Sequence, residues 1–214
     1  MAKRKPDLNL FFDTETFALN TDGVIIQLSG ILDIGGEVVD EFDFRCKPLT
    51  QFADKIEDDC VKFHKNNGLI TKENWKTEFR PANEVWHDLR KWMDKYVDPT
   101  NRSSKKFNII GYNSSFDVKN MRAWMEAVSG DKWAFSNYFN WCDIDVMRIL
   151  NFLLLEVKGG WENFRLTTVY ENLCDAGMCN KIEGMAHDAA YDNVMVREIY
   201  NSVLLPMKQK FLEE

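Results

Sequence analysis

Carboxylates recur at three places along this 214-residue chain in patterns that can hold a metal ion. The first is Asp13-Thr14-Glu15-Thr16, which closes an apolar run at 8–12. Side chains alternate along a strand, so Asp13 and Glu15 share one face about 7 Å apart. Like charges at that spacing repel in a low-dielectric setting, and a cation between them reverses the sign of the energy. The second place is Asn113-Ser114-Ser115-Phe116-Asp117, where Asn113 or Ser114 can cap a helix that carries Asp117 in its first turn. Asp117, Met121, Trp124 and Val128 are spaced 4, 3 and 4 and form one stripe, apolar except for the acid. The third is His187-Asp188-Ala189-Ala190-Tyr191-Asp192, and its stripe of Ala189, Asp192, Val196, Ile199 and Val203 again holds one carboxylate among apolar residues. A buried, unpaired carboxylate must protonate, find a partner or bind metal, and no Lys or Arg lies on that third stripe.

Asp13, Glu15, Asp117 and Asp192 together offer four hard oxygen ligands. Such a set suits Mg²⁺, with Mn²⁺ as a substitute, and not zinc, which prefers nitrogen and sulfur. Carboxylates around two divalent ions about 3.5–4 Å apart form the arrangement that clamps both oxygens of an in-line phosphoryl displacement. His187 lies just before the helix that carries Asp192. An imidazole with an ordinary pKa of about 6.5 can take a proton from water near neutral pH. His64 and His87 have no such neighbours in sequence and read as surface or capping residues.

The elements that must position these groups follow from periodicity and turn residues. Residues 8–12, 24–32 and 38–44 read as three strands of a meander, the last two joined at Gly35-Gly36. A helix opens at Pro81, with Val85, Leu89, Trp92, Met93 and Tyr96 on one face. Residues 107–111 form a strand, 114–128 a helix, 141–144 a short strand and 146–156 a helix. A further helix runs from Leu166 to a cap at Gly177, and the last spans 188–205, stopped by Pro206. The polar stretch 98–106 and Gly159-Gly160 are irregular. This order predicts an α/β fold: a single domain over 1–214, with a mixed sheet of about five strands, three antiparallel and then parallel, flanked by helices.

Composition bounds the partners. Hydrophobic residues make up 45% and charged residues 29%, as in a soluble globular protein. The longest apolar stretch, 149–157, is interrupted by Asn151 and Glu156, far short of the roughly 20 residues of a membrane helix. The basic start Met-Ala-Lys-Arg-Lys-Pro lacks a signal peptide's apolar run, which places the protein in a bacterial or viral-host cytoplasm. Five cysteines without a C-x-x-C pattern read as buried or semi-buried thiols. A net charge of −7 weighs against tight, non-specific duplex binding, although bound cations would cover several of the acids. Trp75, Trp86, Trp133 and Trp161 are candidates for a contact surface, with most tryptophans in the core.

With those residues in place, the chain resembles the DEDD superfamily of 3′–5′ exonucleases, which have an RNase H-like fold. It is similar to the DEDDh branch, which includes DnaQ-like proofreading subunits and RNase T. The D-x-E-T motif stands as Asp13 to Thr16, the Asn-x-x-F-D motif as Asn113 to Asp117, and the H-x-x-x-x-D motif as His187 to Asp192. The tyrosine branch has Tyr four residues before the last Asp, where this chain has Asp188. The resemblance spans residues 8–200 and implies that Asp13, Glu15 and Asp192 hold the tighter metal. Asp13 would also reach the second metal, near Asp117, and His187 would act as general base. The stretch 63–71 is an imperfect match to the family's H-x-x-T-G-I-T segment.

Where many members continue D-x-E-T-T-G-L, this chain has Phe17-Ala18-Leu19. In the family this loop meets the 3′-terminal nucleotide, so Phe17 and Leu19 are candidates for holding its base, with packing under the loop equally open for Phe17. Thr14, Thr16 and Asn113 belong to the same motifs and stand on the substrate side with them. The implied activity is release of nucleoside 5′-monophosphates from a 3′ end, with single-stranded DNA favoured. The alternatives are an exoribonuclease, an endonuclease on the same fold, and a non-catalytic or proofreading-type subunit. The resemblance also admits a homodimer or a polymerase or repair partner. No residue reports on the 2′-hydroxyl, so the sugar is not decided.

Overall fold

The computed structural model describes residues 7–20, 22–101, 103–154, 161–184 and 187–213. The basic N-terminal residues, the end of the 146–156 helix and Gly159-Gly160 lie outside them. Three long strands form the predicted meander: β1 (Leu8–Thr16), β2 (Ile25–Ile34) and β3 (Glu37–Lys47). β4 (Arg80–Pro81), β5 (Phe107–Gly111) and β6 (Ile144–Asp145) complete a sheet of order β4-β3-β2-β1-β5-β6. The pairs β1–β5, β5–β6 and β3–β4 are parallel. The helices are α1 (Asp58–Asn66), α2 (Asn74–Thr77), α3 (Ala82–Met93), α4 (Ser115–Ser129) and α5 (Ala134–Tyr138). After β6 come α6 (Val146–Leu154), α7 (Leu166–Asp175), α8 (Ala189–Ile199) and α9 (Leu205–Glu213).

The alternation of β1 builds two cores. Leu8, Leu10 and Phe12 face the buried side of α3 and α4, where Val85, Leu89, Trp92, Met121 and Trp124 sit. Phe11 faces the other way, against Val146, Leu150, Val169, Val196 and Ile199 of α6, α7 and α8. Asp13 and Glu15 have the parity of Phe11 and so belong to the α8 face, whereas Thr14 belongs to the α4 face.

Several expectations change. The sheet has six strands rather than about five, because β4 is a two-residue pairing alongside Cys46 and Lys47 that carries no hydrophobic period. Pro81 stands at the cap before α3 rather than in its first turn. The sixth strand lies at Ile144–Asp145 and not at 141–144; Trp141 is 90% exposed and takes no part in it. Pro206 does not stop the last helix. A π-helical turn (Tyr200–Leu204) follows α8, and α9 continues through Pro206. Proline lacks an N–H and crowds the carbonyl four residues back, here Ser202, and the wider turn absorbs both effects. Cys142 is exposed, unlike the semi-buried thiols expected, while Cys46 and Cys179 are buried.

Candidate metal and nuclease site

The acids meet where the C-terminal end of β1 passes the first turns of α4 and α8. Asp117 is 3% exposed on its apolar stripe, above the buried Met121 and Trp124. Thr14 grips it: the Thr14 N–H and hydroxyl both donate to Asp117 Oδ1, at 3.0 and 2.7 Å. The turn that delivers α4 is tight. A Cβ on Gly111 would lie 3.1 Å from the Phe12 carbonyl, and Asn113 takes a left-handed φ of 58°. Neither Asn113 nor Ser114 caps α4 with its side chain, which corrects the sequence expectation. The Asn113 N–H donates to Asp145 and the Ser114 hydroxyl to Asp143, so the turn is fastened to β6 instead.

On the opposite face, ligand atoms of Glu15, His187 and Asp192 all lie within 4.8 Å of one another. Asp192 sits in the first turn of α8, and its Oδ1 is buried without a hydrogen-bond partner. His187 is exposed, has a left-handed φ of 61°, and stands edge-on to the Phe63 ring at 5.1 Å. Asp13 joins the cluster electrostatically. Burial, then the charges of Asp117, Asp192 and Glu15, raise its carboxyl well above the usual range. Burial, followed by Asp192 and Asp117, does the same to Glu15. Burial lifts Asp117 to about 7 against the opposing Thr14 hydrogen bonds, and lifts Asp192 to about 7 against the His187 backbone.

Among the described residues, none of these four carboxylates pairs with Lys or Arg. An orphaned buried oxygen and mutually repelling acids fit a divalent cation, which would supply the missing positive charge. The donor set of carboxylate oxygens, with one imidazole in reach, suits a hard cation.

Three residues of the site were not legible from motifs. His64 is not a surface residue: it is 3% exposed on α1, with Nε2 3.0 Å from the Thr16 carbonyl and 3.7 Å from Glu15 Oε2. Gln27, fully buried on β2, pairs directly with Glu15 across the sheet. Its amide N–H groups donate to Asp43 and Asp188, and its oxygen accepts the Ala189 N–H at 3.3 Å. Asp188 caps α8 by accepting the Ala190 N–H, and Arg45 lies 3.5 Å from its other oxygen. These contacts hold the start of α8, and with it His187 and Asp192, against β2. The sequence signals were the imperfect H-x-x-T-G-I-T match at 63–71, which contains His64, the position of Asp188 inside the third motif, and a glutamine inside the apolar run 24–32.

Phe17 is 5% exposed, packs between Trp75 and His64 under the loop, and is not among the residues that line the cleft beside the acids. Leu19 is 78% exposed at the rim, with its N–H donating to Glu57. Between Leu19 and Phe63 opens a cleft of ≈ 440 Å³ that also reaches Thr14, Glu15, Thr16 and His64. Asn113 is exposed beside the start of α4.

The sequence matches the family model for RNase T, described as exonuclease, over residues 10–200. No curated protein matches it. Among solved structures, the zinc-ion-bound E. coli exonuclease I–single-stranded DNA complex is similar at a TM-score of 0.69 and 21% identity, over 95% of this chain and 42% of that one. A product-bound exonuclease I gives 0.61 and 20%, over 98% and 48%. A complex of exonuclease I with SSB-Ct gives 0.62 and 18%, over 98% and 44%. The chain thus spans less than half the length of these structures, and at this identity the likeness is one of fold. With its six-stranded mixed sheet and the three motifs in order along 10–200, the chain belongs to the exonuclease family, in the DEDDh, DnaQ-like superfamily of 3′–5′ exonucleases.

Proposed function

We propose that this chain is a single exonuclease domain that removes nucleotides from the 3′ end of nucleic acid as nucleoside 5′-monophosphates, with single-stranded DNA as the favoured substrate. The observation that carries the reading is the convergence of Glu15, His187 and Asp192 within 4.8 Å, beside two further acids, Asp13 and Asp117, that have no Lys or Arg partner among the described residues. Asp13, Glu15, Asp117 and Asp192 would hold two divalent cations, Mg²⁺ in the cell and Mn²⁺ as a substitute. Such ions supply charge neutralisation at phosphate and acidify water.

The chain's own residues do the rest. His187, exposed on its loop, takes the proton of the attacking water. The Phe63 edge and the left-handed backbone at His187 fix that ring's direction. Thr14 aims Asp117, and Gln27 with Asp188 aims Asp192. Leu19 and Phe63 give the terminal base an apolar rest at the cleft mouth and Thr16 lines the cleft, while Asn113, exposed beside the start of α4, is a further candidate contact.

A net charge of −7 leaves little surface to grip duplex phosphates, which favours a frayed or single-stranded end. The likeness in fold to an exonuclease I that binds single-stranded DNA supports the same choice. The match to the exonuclease family model over residues 10–200 favours exonuclease over endonuclease products. The test is product chromatography on single-stranded and duplex DNA and on RNA. Mononucleotides carrying a 5′-phosphate, released fastest from single-stranded DNA, are expected; oligomers as first products would overturn the reading.

A further inference from the structure

A second cavity, of ≈ 480 Å³, lies on another face of α1 from the acid cleft. Cys60, Phe63 and His64 of α1 line the cleft, whereas Val61 and Lys65 line the second cavity. Its walls are Phe17, Val61, Ile70 and Trp75, and Lys65 and Lys72 stand at its rim. That size and lining, mostly apolar with a few polar groups, match small-ligand pockets. The Trp75 ring lies 6.0 Å from Phe17 and 4.8 Å from Phe79, an aromatic wall with Trp75 half-buried. Among the described residues neither Lys65 nor Lys72 has an ion pair, whereas Lys55, Lys62 and Lys95 each have an acid partner. In a chain of net charge −7, two uncommitted cations beside an aromatic slot select a planar ring that carries negative charge.

We propose that this pocket binds a nucleoside monophosphate, its base against Trp75 and its phosphate between Lys65 and Lys72. The inference rests on the exonuclease reading for its choice of ligand, since that reaction releases this class of molecule on the other side of α1. Phe17 links the two cavities: it lines the pocket, follows Thr16, whose carbonyl bonds His64 of the cleft, and its ring centre lies 6.1 Å from the His64 ring.

Calorimetric titration of the full chain with deoxyadenosine 5′-monophosphate in EDTA tests this, because without cations the acid cluster repels phosphate. Binding is expected in EDTA, unchanged by Asp192→Asn and weakened about tenfold or more by Lys65→Glu with Lys72→Glu. Deoxyadenosine alone and inorganic phosphate alone should each bind at least about tenfold more weakly. Both lysines are exposed, so the double variant keeps the fold. No binding up to about 1 mM, or equal binding by the double variant, overturns the proposal. So does a double variant that loses polymer cleavage while the wild type binds no mononucleotide, since the lysines would then hold the strand. Failure of the exonuclease reading shows separately, as no mononucleotide released from any polymer.

Discussion

At the scale of single residues, the site is a set of acids that the fold alone does not reconcile. Burial and mutual repulsion raise Asp13 and Glu15, and burial lifts Asp117 and Asp192 to about 7. Removing one charge should therefore relieve strain while destroying function. Asp13→Asn is expected to raise the thermal midpoint in EDTA by a few degrees and to lower exonuclease turnover by about a thousandfold or more, read by calorimetry and product release. His187→Ala should cost about 10²–10⁴ in kcat and leave the thermal midpoint near wild type, because the ring is exposed. The five residues of the proposed site stand out in the sequence because each sits in a short motif at a strand end or helix start, and Asp117 and Asp192 are each the one acid in an apolar stripe. The burial of His64 was not legible, although the imperfect motif match at 63–71 contains it. Its helix, Asp58-Asp59-Cys60-Val61-Lys62-Phe63-His64-Lys65-Asn66, is nine residues long and mostly polar, so a buried histidine leaves little periodic trace.

At the scale of elements, the proposed catalysis depends on where α8 starts. Gln27 ties that start to β2 through Ala189 and Asp188, and Arg197 ties its last turn to the end of β2 through the buried Asp33 at 2.8 Å. Gln27→Leu leaves the Ala189 N–H and the Asp188 carboxylate short of a partner. It should cost about 1–3 kcal/mol of stability and roughly tenfold in kcat with KM near wild type, checked by denaturant titration and steady-state rates. Arg197→Ala strands Asp33 and should cost about 3–5 kcal/mol with less effect on kcat once the protein is kept folded. The strands β1–β3 and β5 and the helices α3, α4 and α7 were readable because their apolar periods are long and clean. The pairings at β4 and β6, two residues each, carry no period at all. The π turn before Pro206 was hidden for a different reason: proline ordinarily ends a helix, and only the packed Val203 and Leu204 show why this one continues.

At the scale of the whole molecule, the raised carboxyls link stability to pH. A group whose folded pKa lies above its unfolded value binds protons more tightly when folded. The cluster's contribution is then fully present below pH ~4 and lost as pH rises toward about 7, where Asp117 and Asp192 titrate in the folded state. Asp40 and Glu198 are lowered by their hydrogen bonds against burial and act oppositely, losing their contribution as pH falls below ~4. In EDTA the thermal midpoint should therefore fall from pH 5 to 7.5, and added Mg²⁺ should restore it most at the upper end. A scan of midpoints against pH with and without Mg²⁺ reads this directly, and a midpoint that rises from pH 5 to 7.5 in EDTA would contradict the assignment of these acids.

Digestion of a 5′-labelled single-stranded oligonucleotide with wild type and Asp13→Ala, each in Mg²⁺ and in EDTA, asks whether the four acids and His187 shorten a polymer from its 3′ end with the help of divalent cations. The expected result is a ladder that shortens one nucleotide at a time from the 3′ end in Mg²⁺ with wild type only. Cleavage that persists in EDTA or in Asp13→Ala, or no cleavage of DNA or RNA with any divalent ion, would contradict it.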